Sequence, residues 1–104
     1  MFPTHSLERL FIKYMFNKIN KFEINGLTLK MTCTAFPEQY DVFDKNYNQV
    51  GYIRLRNGWL YCSIPDCSDD IIYEAYPNGA DGCFVSDKQR SHYLKVITNL
   101  LNNQ

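Results

Sequence analysis

The sequence predicts one α+β domain, made of an N-terminal helix, an antiparallel β-meander of about five strands and a C-terminal amphipathic helix packed on the sheet. Apolar residues recur with a helical period at both ends of the chain, and they alternate with polar residues in between. The links between the alternating segments are short, which favours pairing of strands in sequence order. We expect the helices at about residues 6–21 and 86–102, the meander at about 22–85, and a single domain over residues 1–104.

The first predicted helix combines a capping residue, Ser6, with an unusually wide apolar surface. At about 100° per residue, its apolar side chains cover roughly 240° of the helical wheel. A helix that packs on one sheet face needs an apolar stripe of only a little over 100°. We therefore expect this helix to lie between its own sheet and a second subunit. The apolar residues at the spacing of one helix face are Leu7, Leu10, Phe11 and Tyr14.

Two Asn-Gly pairs, Asn25-Gly26 and Asn57-Gly58, predict β-hairpins. Asn-Gly readily adopts the positive φ angles of a type I′ turn, and residues on both sides of each pair alternate between apolar and polar. Pro37 and the polar segment 45–48 separate further strands. The predicted strands cover residues 22–24, 27–34, 39–44, 49–56, 59–64 and 71–76, with a short edge strand at 83–85.

The C-terminal helix is predicted to begin at Ser86. Ser86 and Gln89 have the spacing of a capping box, and Asp87 suits the positive end of the helix dipole. The apolar residues of this segment occupy a compact arc, which is typical of a helix packed on one side of a sheet. We expect it to cover the face formed by Ile53, Leu55, Leu60, Cys62 and Ile64.

Charge and hydropathy disfavour several classes of protein. Eleven Lys and Arg balance eleven Asp and Glu, whereas strong nonspecific nucleic-acid binders usually carry a basic excess. No run approaches the about 18 apolar residues of a transmembrane helix. Lys13 interrupts the apolar stretch near the N-terminus, and no small-residue cleavage site follows it. We therefore expect a cytoplasmic protein with no membrane association, whose cysteines are free thiols.

No pattern in the sequence indicates a metal, a cofactor or an active site. The four cysteines are spread along the chain instead of forming the close pairs that hold structural zinc. The acidic residues of segment 66–70 lack the spacing of a calcium loop. Cys83 and His92 lie across the predicted turn before the last helix, so a thiol or metal enzyme is a third hypothesis. We assign no catalytic or metal-ligating residue and expect a protein that is not an enzyme.

The most informative predicted feature is an aromatic and basic sheet surface. In the hairpin of residues 49–64 the side chains that point away from the apolar face are largely rings and guanidinium groups. Such residues are enriched at protein–protein contacts, and they also stack on single-stranded bases. Alternatively, the first helix covers these rings within the same chain. The candidate interface residues are Tyr52, Arg54, Arg56, Trp59 and Tyr61.

The surplus of apolar and aromatic residues favours an interaction module. Eight Tyr, seven Phe and one Trp exceed what so small a core can bury. The leading hypothesis is a noncatalytic protein-interaction module, homodimeric through the first helix and the aromatic and basic face. The alternative is a single-stranded nucleic-acid-binding domain that uses the same face.

Overall fold

A computed structural model of the chain describes residues 20–33, 36–67 and 69–104. Six antiparallel strands form one sheet whose spatial order is the sequence order, and a helix follows them. Each strand therefore pairs with its neighbour along the chain, as expected of a meander. The elements are β1 (Lys21–Ile24), β2 (Leu27–Cys33), β3 (Glu38–Phe43), β4 (Gln49–Arg56), β5 (Trp59–Ile64), β6 (Asp70–Ala75) and α1 (Asp87–Asn102).

The predicted fold is wrong in its number of strands and in its N-terminal helix, although the antiparallel meander followed by a C-terminal helix is present. The sheet has six strands instead of about five, and the described part of the chain contains one helix, at its C-terminal end. Of the helix predicted over residues 6–21, Asn20 lies in a turn and Lys21 begins β1; residues 6–19 lie outside the described residues. The backbone is already in the hairpin at Asn20, because its carbonyl oxygen accepts a hydrogen bond from the Met31 amide at 2.6 Å.

The predicted edge strand at 83–85 is also wrong. This segment forms no strand, because the Phe84 amide donates to the Glu38 side chain at 3.1 Å instead of to a neighbouring strand. Phe84 itself is buried in the core. The loop before the helix therefore contributes packing and not sheet pairing.

Both Asn-Gly hairpins are confirmed. Asn25 and Gly26 have φ angles of 53° and 80°, and Asn57 and Gly58 have 55° and 76°. Positive φ at both central residues is the property that Asn-Gly supplies in a two-residue turn. These turns fix the register of β1 with β2 and of β4 with β5, so they decide which side chains share a face.

Helix α1 packs on one face of the sheet, here called the inner face, and the core lies between them. The side chains of Ile53, Leu55, Leu60 and Cys62 are fully buried there, as the sequence predicts, while Ile64 is half-buried. The opposite side of the sheet is called the outer face. The buried apolar residues that complete the core are Leu27, Leu29, Tyr40, Val42, Phe84, Leu94, Ile97 and Leu101.

The N-terminus of α1 is capped as the sequence predicts. Ser86 Oγ accepts a hydrogen bond from the Gln89 amide at 3.0 Å. The Gln89 side chain accepts in return from the Val85 amide at 3.0 Å, so the reciprocal bond reaches one residue further back than in a standard capping box. Together these bonds satisfy two amide groups at the entrance to the helix.

A buried ion pair attaches the start of α1 to β3. Both carboxylate oxygens of Glu38 accept from the Arg90 guanidinium, at 2.6 and 3.1 Å. Glu38 also accepts from the Tyr40 hydroxyl and from the Phe84 amide. Because each oxygen has two donors, the charge is compensated although Glu38 is only 3% exposed.

Candidate interface on the outer face of the sheet

The five candidate residues lie together on the outer face, on β4 and β5. Arg54 pairs with Tyr61 across the two strands, and Arg56 pairs with Trp59. Tyr52 lies one step further along β4, opposite Ser63. Alternation along each strand puts all five side chains on the side of the sheet opposite α1.

The aromatic side chains form a continuous row. The ring centroids of Trp59 and Tyr61 are 4.5 Å apart with an interplanar angle of 33°. Those of Tyr61 and Tyr52 are 6.2 Å apart at 51°. Both distances fall in the range of favourable ring contacts, each of which contributes about 0.5–1.5 kcal/mol beyond simple burial. The row is therefore a preformed surface.

Hydrogen bonds fix both ends of this row. Trp59 Nε1 donates to Glu74 Oε1 at 2.9 Å, and the Tyr52 hydroxyl donates to Gln39 Oε1 at 3.1 Å. Tyr52 is only 8% exposed, and burial raises its pKa above the ordinary tyrosine value. Tyr52 thus forms the floor of the surface, whereas Trp59 and Tyr61 are half-exposed and available for contact.

The two arginines border a shallow pocket beside the rings. The pocket has a volume of about 250 Å³ and is lined by Arg54, Arg56, Asn57, Trp59 and Tyr61. Neither arginine forms an ion pair with any of the described residues. Arg54 Nε is buried and meets no hydrogen-bond acceptor within the same part of the chain. Two positive charges thus stand next to the aromatic row without a carboxylate partner from residues 20–33, 36–67 or 69–104.

The opposite end of the outer face is acidic. Gln49 Nε2 donates to Asp41 Oδ1 at 3.3 Å and to Asp66 Oδ1 at 3.2 Å, so one amide group joins the two carboxylates. The pKa of Asp41 is raised, first by burial and second by the negative charge of Asp66. Sequence reasoning missed this pair because it depends on the pairing of β3 with β4, although the alternation along β3 already places Asp41 on the outer side.

The cysteines and histidines do not converge on the outer face. Cys62 is buried in the core and its pKa is raised by burial to about 12. Cys67 is exposed, Cys33 and Cys83 are half-exposed, and all four thiols are free. His92 packs edge-on against Tyr93 at 4.8 Å. Among the described residues, no hydrogen bond joins His92 to Cys83, and no group of three or more His, Cys, Asp or Glu could hold a metal ion.

Comparisons with protein-family models, with curated proteins and with solved structures found no match. No helix within the described residues has the length and apolar character needed to cross a membrane. The functional conclusion therefore depends on the chemistry of the outer face. The features that bear on it are the aromatic row, the two arginines that form no ion pair with the described residues, and the acidic pair at the far end.

Proposed function

We propose that the outer face is a protein-binding surface and that the chain acts as a noncatalytic interaction module. The observation that carries this proposal is the contact between Trp59 and Tyr61, at 4.5 Å, beside a pocket bordered by Arg54 and Arg56. Trp, Tyr and Arg are the residues most enriched among those that dominate binding energy at protein interfaces. Here they are adjacent on one face of the sheet.

The rigidity of the aromatic row supports a binding role. Trp59 is held by Glu74 and Tyr52 by Gln39, so these side chains have little rotational freedom left to lose on binding. Ordering a flexible side chain at an interface costs about 0.5–1.5 kcal/mol, and this surface avoids part of that cost. A preorganised aromatic patch is suited to contact a complementary protein surface.

The charges on the outer face favour a protein over single-stranded nucleic acid. The Glu74 carboxylate lies against the edge of the Trp59 indole, where a stacked base and its phosphate would approach. Asp41 and Asp66 add negative charge along the same surface. A groove for single strands is positively charged along its length, whereas this surface carries both signs and the whole chain has no net charge.

Photo-crosslinking tests the proposal at a matched pair of positions. Ile71 is 45% exposed on β6, paired with Ser63 of the outer face, and Val96 is 37% exposed on α1. A benzophenone amino acid placed at Ile71, in the cells that make the protein, is expected to give a discrete protein adduct. The same group at Val96 is expected to give none. The adduct should disappear when Trp59→Ala is added to the Ile71 variant.

Two outcomes of that experiment would contradict the proposal. A nucleic-acid adduct at Ile71 would favour the single-stranded nucleic-acid hypothesis instead. The affinity of the protein for a labelled oligonucleotide should then fall steeply as the salt concentration rises, because phosphate contacts release counterions. No adduct at Ile71, or one that persists with Trp59→Ala, would mean that the aromatic row is not a binding surface.

A further inference from the structure

The pocket on the outer face is built from two cross-strand pairs at the end of the β4–β5 hairpin. Arg54 lies opposite Tyr61, and Arg56 lies opposite Trp59. Residues directly opposite each other in antiparallel strands have Cβ atoms about 4.5–5.5 Å apart, so each arginine leaves its strand beside an aromatic ring. Asn57 of the turn also lines the pocket. The site therefore combines two cations, two rings and one amide group.

The size of this pocket fits one side chain of a larger molecule. Its volume is about 250 Å³, which is below the range of about 300–1,000 Å³ for pockets that enclose a whole small-molecule ligand. Trp59 and Tyr61 belong both to the pocket and to the aromatic row, which we propose as a protein-binding surface. The occupant that this volume and position favour is therefore a side chain presented by the partner protein.

The charge of the pocket is positive and is not neutralised by the described residues. Neither arginine forms an ion pair with them, and Arg54 Nε is buried without an acceptor among them. Arg54 and Arg56 are two residues apart on the same side of β4, which at ~3.4 Å per residue puts their Cα atoms about 7 Å apart. An anion between them is attracted by both charges, and the partial burial of Arg54 strengthens this attraction because water screens it less.

Two acidic residues lie near the pocket but outside its lining. Glu74 accepts from the Trp59 indole on the side of β6, whereas the pocket is lined by residues of β4, β5 and the turn between them. Asp81 and Arg56 both line a second cavity, which includes Phe36, and they form no ion pair with each other. A single anionic group can thus reach the arginines from the β4 side, without the approach to Glu74 that a strand bound along the whole face requires.

We propose that this pocket binds a phosphotyrosine side chain of the partner protein. This inference rests on the proposed function, and it names the group that the partner presents. A phosphate monoester carries about −1.5 to −2 charges at pH 7, which matches the two arginines, and its oxygens accept the paired N–H bonds of guanidinium groups. Clusters of arginine are a recurring means of recognising phosphorylated side chains.

The aromatic lining distinguishes phosphotyrosine from other anionic side chains. Trp59 and Tyr61 are half-exposed, so the ring of the ligand can pack on them while its phosphoryl group reaches the guanidinium groups. Aspartate and glutamate bring one charge and no ring. Phosphoserine brings the charge of a phosphoryl group but leaves the rings uncovered, and sulfotyrosine has the ring with only one charge. Phosphotyrosine matches both halves of the lining.

The single tryptophan of the chain provides the readout for a binding test. Trp59 lines the pocket, so its fluorescence should change when a short alanine peptide with a central phosphotyrosine is titrated into the protein. The same peptide with tyrosine, glutamate, phosphoserine or sulfotyrosine at the centre is expected to bind at least about tenfold more weakly, because each lacks a ring or part of the charge. Equal affinity for any one of these four peptides overturns the assignment to phosphotyrosine.

Substitution of Arg56 tests the site against a matched control. Arg56→Gln removes one exposed guanidinium group and should raise the Kd of the phosphotyrosine peptide about tenfold or more, because hydrogen bonds between charged groups are strong. Arg56→Lys keeps the charge without the two-pronged contact and should have an intermediate effect. Lys95→Gln removes an exposed positive charge from α1 and should leave the Kd unchanged. Equal Kd values for Arg56→Gln and Lys95→Gln, with thermal unfolding showing that both fold, overturn the proposed site.

The crosslinking experiment separates this inference from the broader proposed function. The protein captured at Ile71 should contain phosphotyrosine by mass spectrometry, and its adduct should be lost when Arg56→Gln is added to the Ile71 variant. If the phosphotyrosine peptide does not bind but Ile71 still gives an adduct that depends on Trp59, the ligand is wrong and the protein-binding role stands. If neither the peptide nor a partner protein binds, both are wrong.

Discussion

Trp59 and Glu74 are joined across β5 and β6 by a hydrogen bond of 2.9 Å from the indole Nε1 to the carboxylate Oε1. The bond is diagonal, because Glu74 is the direct cross-strand partner of Tyr61. It holds the indole beside the Tyr61 ring, and Trp59 also lines the pocket with Arg54 and Arg56. Trp59 is therefore the residue on which binding at the outer face is expected to depend most.

If the chain forms the homodimer that the sequence analysis predicts, replacing Trp59 is expected to weaken this self-association without unfolding the chain. Trp59→Ala removes the largest contact side chain and should raise the dimer Kd by about 30-fold, or about 2 kcal/mol, as expected of a dominant interface residue. Glu74→Ala removes only the acceptor, and we expect a smaller effect of about tenfold. Sedimentation equilibrium measures both values. Lys95→Ala on α1 is the control. If Trp59→Ala and Lys95→Ala have the same dimer Kd, Trp59 is not part of the interface.

The Glu38–Arg90 ion pair is expected to be a large determinant of stability. Arg90→Ala leaves the buried Glu38 carboxylate without its main partner and should lower the free energy of unfolding by about 3 kcal/mol. Asp87→Ala breaks only an exposed contact to the same guanidinium and should cost less than about 1 kcal/mol. Urea denaturation checks both. Equal effects of the two substitutions would show that the buried pair contributes no more than the surface pair.

The raised pKa of Cys62 predicts a loss of stability in alkali. The thiol has an ordinary pKa near 9 in the unfolded chain and a pKa of about 12 in the folded protein. Above pH 9 the unfolded chain therefore releases a proton that the folded protein retains. Stability is complete below pH 9 and is expected to fall above it, by at most about 1.4 kcal/mol per pH unit.

That alkaline effect can be measured apart from the buried tyrosines. Their ordinary pKa is 10.0, so the interval between pH 9 and 10 reports mainly on Cys62. Cys62→Ala should lower stability at every pH, because it leaves a cavity in the core. It should also flatten the slope of unfolding free energy against pH in this interval. An unchanged slope would contradict the assignment to Cys62.

The two hairpin turns provide a matched test of how α1 is attached to the sheet. The Asn25 side chain donates to Thr98 Oγ1 at 3.0 Å and to the Lys95 carbonyl at 3.3 Å. Asn57 occupies the same position of its own turn, with a similar φ angle. Asn25→Gly keeps the turn geometry accessible and should cost about 1–2 kcal/mol through lost hydrogen bonds. Asn57→Gly should cost less, about 0.4–1 kcal/mol in urea denaturation, because glycine only adds conformational freedom to the unfolded chain; equal costs would mean that the Asn25 contacts contribute nothing.

Local signals explain the parts of the fold that could be predicted. Both Asn-Gly turns were recognisable because two adjacent residues determine the turn type, and β4 and β5 begin and end where the sequence predicts. The alternation of Ile53 and Leu55 with Arg54 and Arg56 assigned the two faces correctly, because strand side chains have a period of two. The cap of α1 was also recognisable, because Ser86 and Gln89 are only three residues apart in the sequence.

Contacts between distant residues were beyond sequence reasoning. Glu38 and Arg90 are 52 residues apart, and a glutamate beside Pro37 gave no indication of burial. The acidic end of the outer face also depends on the order and register of β3, β4 and β5 taken together. An apolar period near the N-terminus overstated the helical segment, since β1 already begins at Lys21.

The solution mass of the unmodified chain tests the central claim most directly. Light scattering after size-exclusion chromatography, over a series of micromolar concentrations, should give a mass that rises towards twice 12.3 kDa. In the same series, Trp59→Ala should remain near 12.3 kDa. A mass of one chain at every concentration would contradict self-association. A dimer that Trp59→Ala leaves intact would contradict the assignment of the outer face as the interface.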